Sequence, residues 1–215
     1  MFVGPRMKRD LVTVTPGATL EEAARLLTAH RIHHLPVVVE GNRLAGILSD
    51  TDLRKATLDG IAAGADRGDS GRPVTAGEIM TRELVTLSPG DTLDDAMLVL
   101  SRQRIGALPV VEGDRLVGIV TKADILSALL STLDIEGLGV RIEVVLPREV
   151  KEVARLVAAL ADQDVEVRSL VLALHGADRY AAFVRVATID VASVRERLRE
   201  KGFTVGELSD FYEAR

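Results

Sequence analysis

The sequence predicts an α/β (α+β) protein: two β-α-β-β-α units in tandem, then a ferredoxin-like β-α-β-β-α-β unit. Three observations carry that reading. Met7 to Val38 realigns on Met80 to Val111 at a constant offset of 73, with about half of the positions identical, the density of an internal repeat. After the loss of one residue the match resumes, so that Gly46-Ile47-Leu48-Ser49-Asp50-Thr51-Asp52 answers Gly118-Ile119-Val120-Thr121-Lys122-Ala123-Asp124. From Gly139 onward the periodicity changes to strand, helix, two strands, helix and strand.

Each repeat reads in one order. A β-prone stretch opens it, Leu11 to Val14 or Leu84 to Leu87, and a Pro-Gly turn follows. Thr19 or Thr92 then caps a helix, with Glu22 or Asp95 at capping-box spacing. Ala23, Leu26 and Leu27, like Ala96, Val99 and Leu100, set the helical period. An extended run follows, His34 to Val39 or Ala107 to Val111, and a glycine turn leads into Leu44 to Leu48 or Leu116 to Val120. A second helix starts at the hydroxyl-x-x-Asp element. Glycine-rich Thr57 to Val74 reads as a surface loop. Ile125, Leu126, Leu129, Leu130 and Leu133 form an apolar stripe, which either packs within the repeat pair or pairs two chains.

In the last third, Val140 to Leu146 and Val165 to Leu174 read as strands flanking a helix over Arg148 to Gln163. Tyr180 to Thr188 is the next strand, joined through His175-Gly176-Ala177-Asp178. Asp190 caps a helix that Gly202 stops, and Phe203 to Leu208 is the last strand. The expected domains are 1–65, 66–133 and 140–215, with 134–139 as linker.

Composition narrows the function. The 215 residues carry a net charge of −5, 47% apolar residues and 3% aromatics. Neither half is basic and few aromatics remain for base stacking, so nucleic acid is not an expected partner. With no cysteine, disulfides, thiolate metal sites and cysteine nucleophiles are excluded. No apolar run approaches a membrane span or a signal-peptide core, and a cytoplasmic location is expected.

The repeated ending carries the chemistry. Gly46 and Gly118 lack a Cβ and would let a ligand approach the strand closely. Ser49 or Thr121 sits at a helix N-terminus, where free N–H groups favour an anion such as phosphate. Asp52 or Asp124, one turn on, could hold the paired hydroxyls of a ribose. Together these favour a nucleotide. The same spacing also makes an ordinary capping box, worth about 1 kcal/mol without any ligand. Lys122 can meet a phosphate where Asp50 repels one, so the second site is expected to bind phosphorylated ligands more tightly.

The runs Ile32-His33-His34-Leu35-Pro36-Val37-Val38 and Ile105-Gly106-Ala107-Leu108-Pro109-Val110-Val111, followed by Gly-Ile-x-Ser/Thr-x-x-Asp, resemble a tandem pair of CBS domains over residues 7 to about 130. The resemblance implies a disc-like, often dimeric regulatory module whose clefts bind AMP, ADP, ATP, S-adenosylmethionine, NAD or another adenosine-containing molecule. It places phosphate at Ser49 or Thr121 and ribose at Asp52 or Asp124. The base would lie beside His33, His34 and Pro36, or Gly106, Ala107 and Pro109, with Thr13 or Thr86 nearby. Residues 140 to about 209 resemble an ACT domain in element order. The acid and the Pro-Gly common in such domains reduce here to Leu146-Pro147-Arg148, so a dimerising role stands beside amino-acid binding. The combined order is similar to the acetoin-utilisation B-type proteins of bacteria.

His30, His33 and His34 do not make an expected metal site, because the helix should end near Arg31 and leave them on different elements. Glu21-Glu22 and Asp94-Asp95 occupy first helical turns, where they complement the dipole. No nucleophile has a base beside it and no Walker or dinucleotide fingerprint is present. The expectation is a non-catalytic sensor, a homodimer acting on an unidentified regulated protein. An interaction scaffold with vestigial clefts and an enzyme with an unrecognised site are the alternatives.

Overall fold

The computed structural model describes residues 1–62, 73–135, 137 and 139–206. The chain divides into two compact units, Met1–Leu126 and Ser127–Arg215.

In the first unit, helix α1 (Leu20–His30) is followed by strands β1 (His34–Val39) and β2 (Arg43–Ser49) and helix α2 (Asp50–Ala62). The second copy places a short helix α3 (Ala76–Ile79) before α4 (Leu93–Arg102), β3 (Ala107–Glu112), β4 (Arg115–Thr121) and α5 (Lys122–Thr132). The caps form as expected: Thr19 Oγ1 accepts from the Glu22 N–H and Thr92 Oγ1 from the Asp95 N–H, both at 3.1 Å. The sheet order is β1-β2-β4-β3, its halves joined through Arg43 and Arg115. Each hairpin shifts register at the same place, Val37/Val38 and Val110/Val111. Ala23, Leu27, Leu35, Leu48 and Leu53 fill the core of the first copy.

The strands expected at Leu11–Val14 and Leu84–Leu87 shrink to one parallel bridge each. The Val14 N–H donates to Pro36 O (3.1 Å) and Val14 O accepts from the Val38 N–H (2.8 Å), and Leu87 does the same with Pro109 and Val111. Extending either ladder would need an N–H from Pro36 or Pro109 on one side and from Pro16 or Pro89 on the other. Proline has none. One further correction concerns the expected loop over Thr57 to Val74: its first residues continue α2 to Ala62; residues 63–72 lie outside the described set. Helix α3 follows, opened by Thr75, whose N–H and hydroxyl both donate to Glu78 Oε2 (2.8 and 2.9 Å).

The copies interlock. The Ala76 and Gly77 N–H groups donate to Ala18 O and Pro16 O of the first copy, both at 2.8 Å. Val3 and Gly4 donate to Asp91 O and Pro89 O of the second, at 2.8 and 2.9 Å. Thr81 exchanges backbone hydrogen bonds with Ile47 on β2, and Lys8 with Ile119 on β4. Gly46 and Gly118 lie beneath these segments. A Cβ on Gly46 would stand 2.5 Å from Met80 Sδ and 2.9 Å from Thr81 O, and one on Gly118 would stand 2.5 Å from Met7 Sδ. The missing Cβ therefore admits the other copy's chain, which corrects the expectation of ligand access at these glycines.

The second unit contains β5 (Val140–Pro147), α6 (Val150–Ala161), β6 (Glu166–His175), β7 (Arg179–Ala187), α7 (Val191–Glu200) and β8 (Thr204–Val205). The order β6-β7-β5-β8, antiparallel throughout, is the ferredoxin-like arrangement. Ile142, Val144, Leu146, Leu156, Leu160, Val184 and Leu198 build its core. Asp190 accepts from the Ser193 N–H at 3.1 Å, and Gly202, at φ +82°, ends the helix. The expected last strand narrows to Thr204–Val205, with Phe203 buried before it; positions 207 and 208 lie outside the described residues.

Candidate functional site

Two clefts in the first unit gather Ser49, Asp52, Thr121 and Lys122 of the two motifs, and each draws on both copies; Asp124, expected beside Thr121, lines neither. The larger, about 590 Å³, holds Ser49 and Asp52 from the start of α2. Gly106, Ala107, Pro109 and Lys122 from the second copy face them, together with His34, Thr81, Glu83 and Arg104. The smaller, about 410 Å³, holds Thr121 and Lys122 with Lys8, Arg31, His33, His34 and Gly106. Both volumes lie in the range of small-molecule sites. The grouping by copy implied by the resemblance is thus crossed: Ser49 and Asp52 meet Gly106, Ala107 and Pro109, whereas Thr121 meets His33 and His34. The N-terminal segments contribute as well, because interlocking carries Lys8 to one cleft and Thr81 to the other.

At both helix starts the capping box is formed. The Ser49 hydroxyl donates to Asp52 Oδ2 (2.6 Å), the Ser49 N–H donates to the same oxygen (2.9 Å), and the Asp52 N–H donates back to Ser49 Oγ (3.2 Å). Thr121 and Asp124 repeat the pattern at 2.6, 2.8 and 3.3 Å. The boxes differ at the other carboxylate oxygen. Asp124 Oδ1 pairs with Lys8 Nζ at 3.2 Å, while among the described residues Asp52 Oδ1 has no hydrogen-bond partner.

Several expected residues fall elsewhere. Thr13 is half-buried, Thr86 is exposed, and neither lines a cleft; Glu83, Leu84 and Val85, just before Thr86, line the larger one. Pro36 is buried in β1 and lines neither cleft, unlike its counterpart Pro109. Gly46 and Gly118 are packed under Met80 and Met7. Lys122 lines both clefts and so does not by itself distinguish the second site. Sequence reasoning missed Arg31 and Arg104. Their signal was identity across the repeats, and both take positive φ (51° and 55°) just beyond their helices, one in each cleft. Among the described residues no group of three His, Asp or Glu side chains could hold a metal ion.

His34 stands in the wall between the clefts, its ring against Gly106: a Cβ there would lie 2.6 Å from the ring. Burial, the largest influence, holds its pKa below the ordinary 6.5, assisted by His33 and Lys122 and opposed by Asp50 and Asp52. A histidine that resists protonation in the folded state lets the unfolded chain take up the proton first. Stability is then complete above pH 6.5 and falls as pH drops from that value towards the folded pKa. Urea midpoints of the native chain should decline over that window, and His34→Gln should flatten the decline. An unchanged slope in the variant would refute it.

The CBS-domain family profile matches residues 3–59 and 76–131. The chain belongs to the CBS-domain family. The profile begins each CBS domain at the lead segment that docks on the other copy. The CBS domain-containing protein YhcV of Bacillus subtilis is 36% identical over 119 residues, which are 55% of this chain and 79% of YhcV. Other relatives are longer: the chain spans 43% of a protein of Methanocaldococcus jannaschii, MJ1225, and 25% of an inosine-5'-monophosphate dehydrogenase of Korarchaeum cryptofilum. Among solved structures, the CBS pair of MJ0100 in complex with 5'-methylthioadenosine and S-adenosylmethionine is 31% identical. It has a TM-score of 0.52 and covers 60% of this chain and 99% of that one. CBSX2 in complex with AMP is 26% identical, with a TM-score of 0.53 over 60% and 96% of the chains. A Vibrio cholerae protein named for acetoin utilization, AcuB, is 28% identical, with a TM-score of 0.56 over 63% and 96%.

Among the described residues no helix is long and apolar enough to cross a membrane.

Proposed function

We propose that this chain is a non-catalytic regulatory sensor whose CBS clefts bind adenosine-containing ligands. The observation that carries the reading is the larger cleft, which Asp52, whose Oδ1 has no hydrogen-bond partner among the described residues, lines together with Gly106, Ala107 and Pro109. A carboxylate suits a ribose diol, and a wall of small, weakly polar residues suits a purine. The complexes of MJ0100 and CBSX2 with adenosine compounds support it.

The clefts differ in charge. Lys8, Arg31 and Lys122 line the Thr121 cleft, and the one carboxylate paired with them, Asp124 on Lys8 at 3.2 Å, leaves Arg31 and Lys122 uncompensated there. In the Ser49 cleft Lys55, Arg104 and Lys122 are offset by Asp50, Asp52 and Glu83. The Thr121 cleft is therefore the better phosphate site, for a reason broader than the exchange of Lys122 for Asp50.

The ferredoxin-like unit, proposed as an ACT domain over 140–215, would pair chains or take a second small ligand; units 1–65 and 66–133 are the proposed CBS domains, with 134–139 as linker. Exposed Leu98 and Leu126 on α4 and α5 support a homodimer. The regulated protein is unidentified, and the proposed location is the cytoplasm.

Calorimetric titration with AMP, ADP, ATP, S-adenosylmethionine and NAD, with adenosine as the uncharged reference, tests the reading. At least one should bind in the micromolar range, ATP more tightly than adenosine. Silence across the set with folded protein would favour a scaffold with vestigial clefts, and turnover of a bound nucleotide would favour an enzyme.

A further inference from the structure

The two clefts share one wall, and the wall carries one lysine. His34, Gly106 and Lys122 line both. The Lys122 N–H donates to Gly106 O at 3.2 Å, which anchors the start of α5 on the partition. Its counterpart in the first copy is Asp50, which lines only the Ser49 cleft and is engaged by His33 (3.2 Å) and Arg54 (3.5 Å). The shared wall therefore carries a single lysine, on a flexible four-carbon stem, between the two clefts; Lys122 also borders a third cavity, beside Arg104.

We infer that a phosphorylated nucleotide in the Thr121 cleft weakens phosphate binding in the Ser49 cleft, because both draw on the ammonium of Lys122. The inference rests on the nucleotide reading above and adds a coupling between its sites. Once Lys122 turns towards the Thr121 cleft, the Ser49 cleft keeps Lys55 and Arg104 against Asp50, Asp52 and Glu83. That balance disfavours a phosphate and leaves an uncharged nucleoside unaffected. Occupancy of one cleft thus alters which class of adenosine compound the other accepts, and by linkage the effect is reciprocal.

Ile47 lines only the Ser49 cleft and Ile119 only the Thr121 cleft, so their methyl NMR signals report the two sites separately. The full chain is titrated with AMP and, separately, with adenosine. Lys8→Met with Arg31→Gln removes cations that line only the Thr121 cleft. This double change should tighten AMP at the Ile47 reporter by about five-fold, the low end of ordinary coupling. In a Lys122→Met background it should leave that midpoint unmoved, and adenosine midpoints at Ile47 should be equal in every variant. An Ile47 midpoint for AMP that ignores the double change, or that shifts equally without Lys122, overturns the coupling while leaving nucleotide binding intact. If AMP moves neither methyl of the folded native chain, the coupling is overturned at its premise, and the nucleotide reading is decided by the rest of the calorimetric set.

Discussion

Gly46→Val and Gly118→Val are each expected to destabilise the CBS pair by about 3 kcal/mol, the upper part of the range for overpacking a filled site. At Gly46 the first added carbon already meets Met80 Sδ at 2.5 Å and the backbone oxygen of Thr81 at 2.9 Å. The thioether can bend away, but the Thr81 carbonyl is held by its hydrogen bond from Ile47 (3.0 Å). Relief would require the second copy's lead segment to lift from β2. Urea denaturation should show both midpoints well below that of Gly90→Ala, where the added carbon has nothing closer than 3.6 Å. If Gly46→Val proves as mild as Gly90→Ala, the interlocked packing is wrong.

Asp52→Ala should weaken nucleotide binding in the Ser49 cleft by at least about ten-fold, the usual scale for losing hydrogen bonds to a charged acceptor. It should also cost about 1 kcal/mol of stability, since the same carboxylate closes the cap of α2. Asp124→Ala should be milder towards phosphorylated ligands. Its Oδ1 is already paired with Lys8, and removing the carboxylate releases that ammonium to the Thr121 cleft. Calorimetry of both variants with AMP and adenosine separates these effects. Equal losses from the two substitutions would contradict the asymmetry.

Much of this was legible in the chain because the repeat reported itself twice. Thr19 and Thr92 capped where the capping spacing placed them, and each Ser/Thr-x-x-Asp opened a helix. The ferredoxin-like unit followed from alternation in Val140–Leu146 and from the Asp190 and Gly202 signals. Local rules missed what depends on distant chain. The β-propensity of Leu11–Val14 was real, yet prolines on both partners left one bridge, a restriction visible only once the pairing is known. Gly46 and Gly118 look like ligand approaches in one dimension, and only the swapped lead segments show what fills the space. Crossing between copies likewise hid the membership of the clefts. Lys8 lies more than a hundred residues from Asp124 in sequence and 3.2 Å from it in the fold. Of the two readings of Ser49 and Asp52, the capping box is formed, through Oδ2; the ligand reading is the proposal, and the cap does not use the Oδ1 it calls on.

The central claim is that each cleft is a composite of both copies built for an adenosine compound. A crystal structure of the full chain with AMP tests it most directly. The account predicts ribose hydroxyls on Asp52 Oδ1 and the base against Gly106, Ala107 and Pro109, so that one nucleotide touches both copies. A nucleotide held by residues of a single copy, or seated outside both clefts, would contradict it.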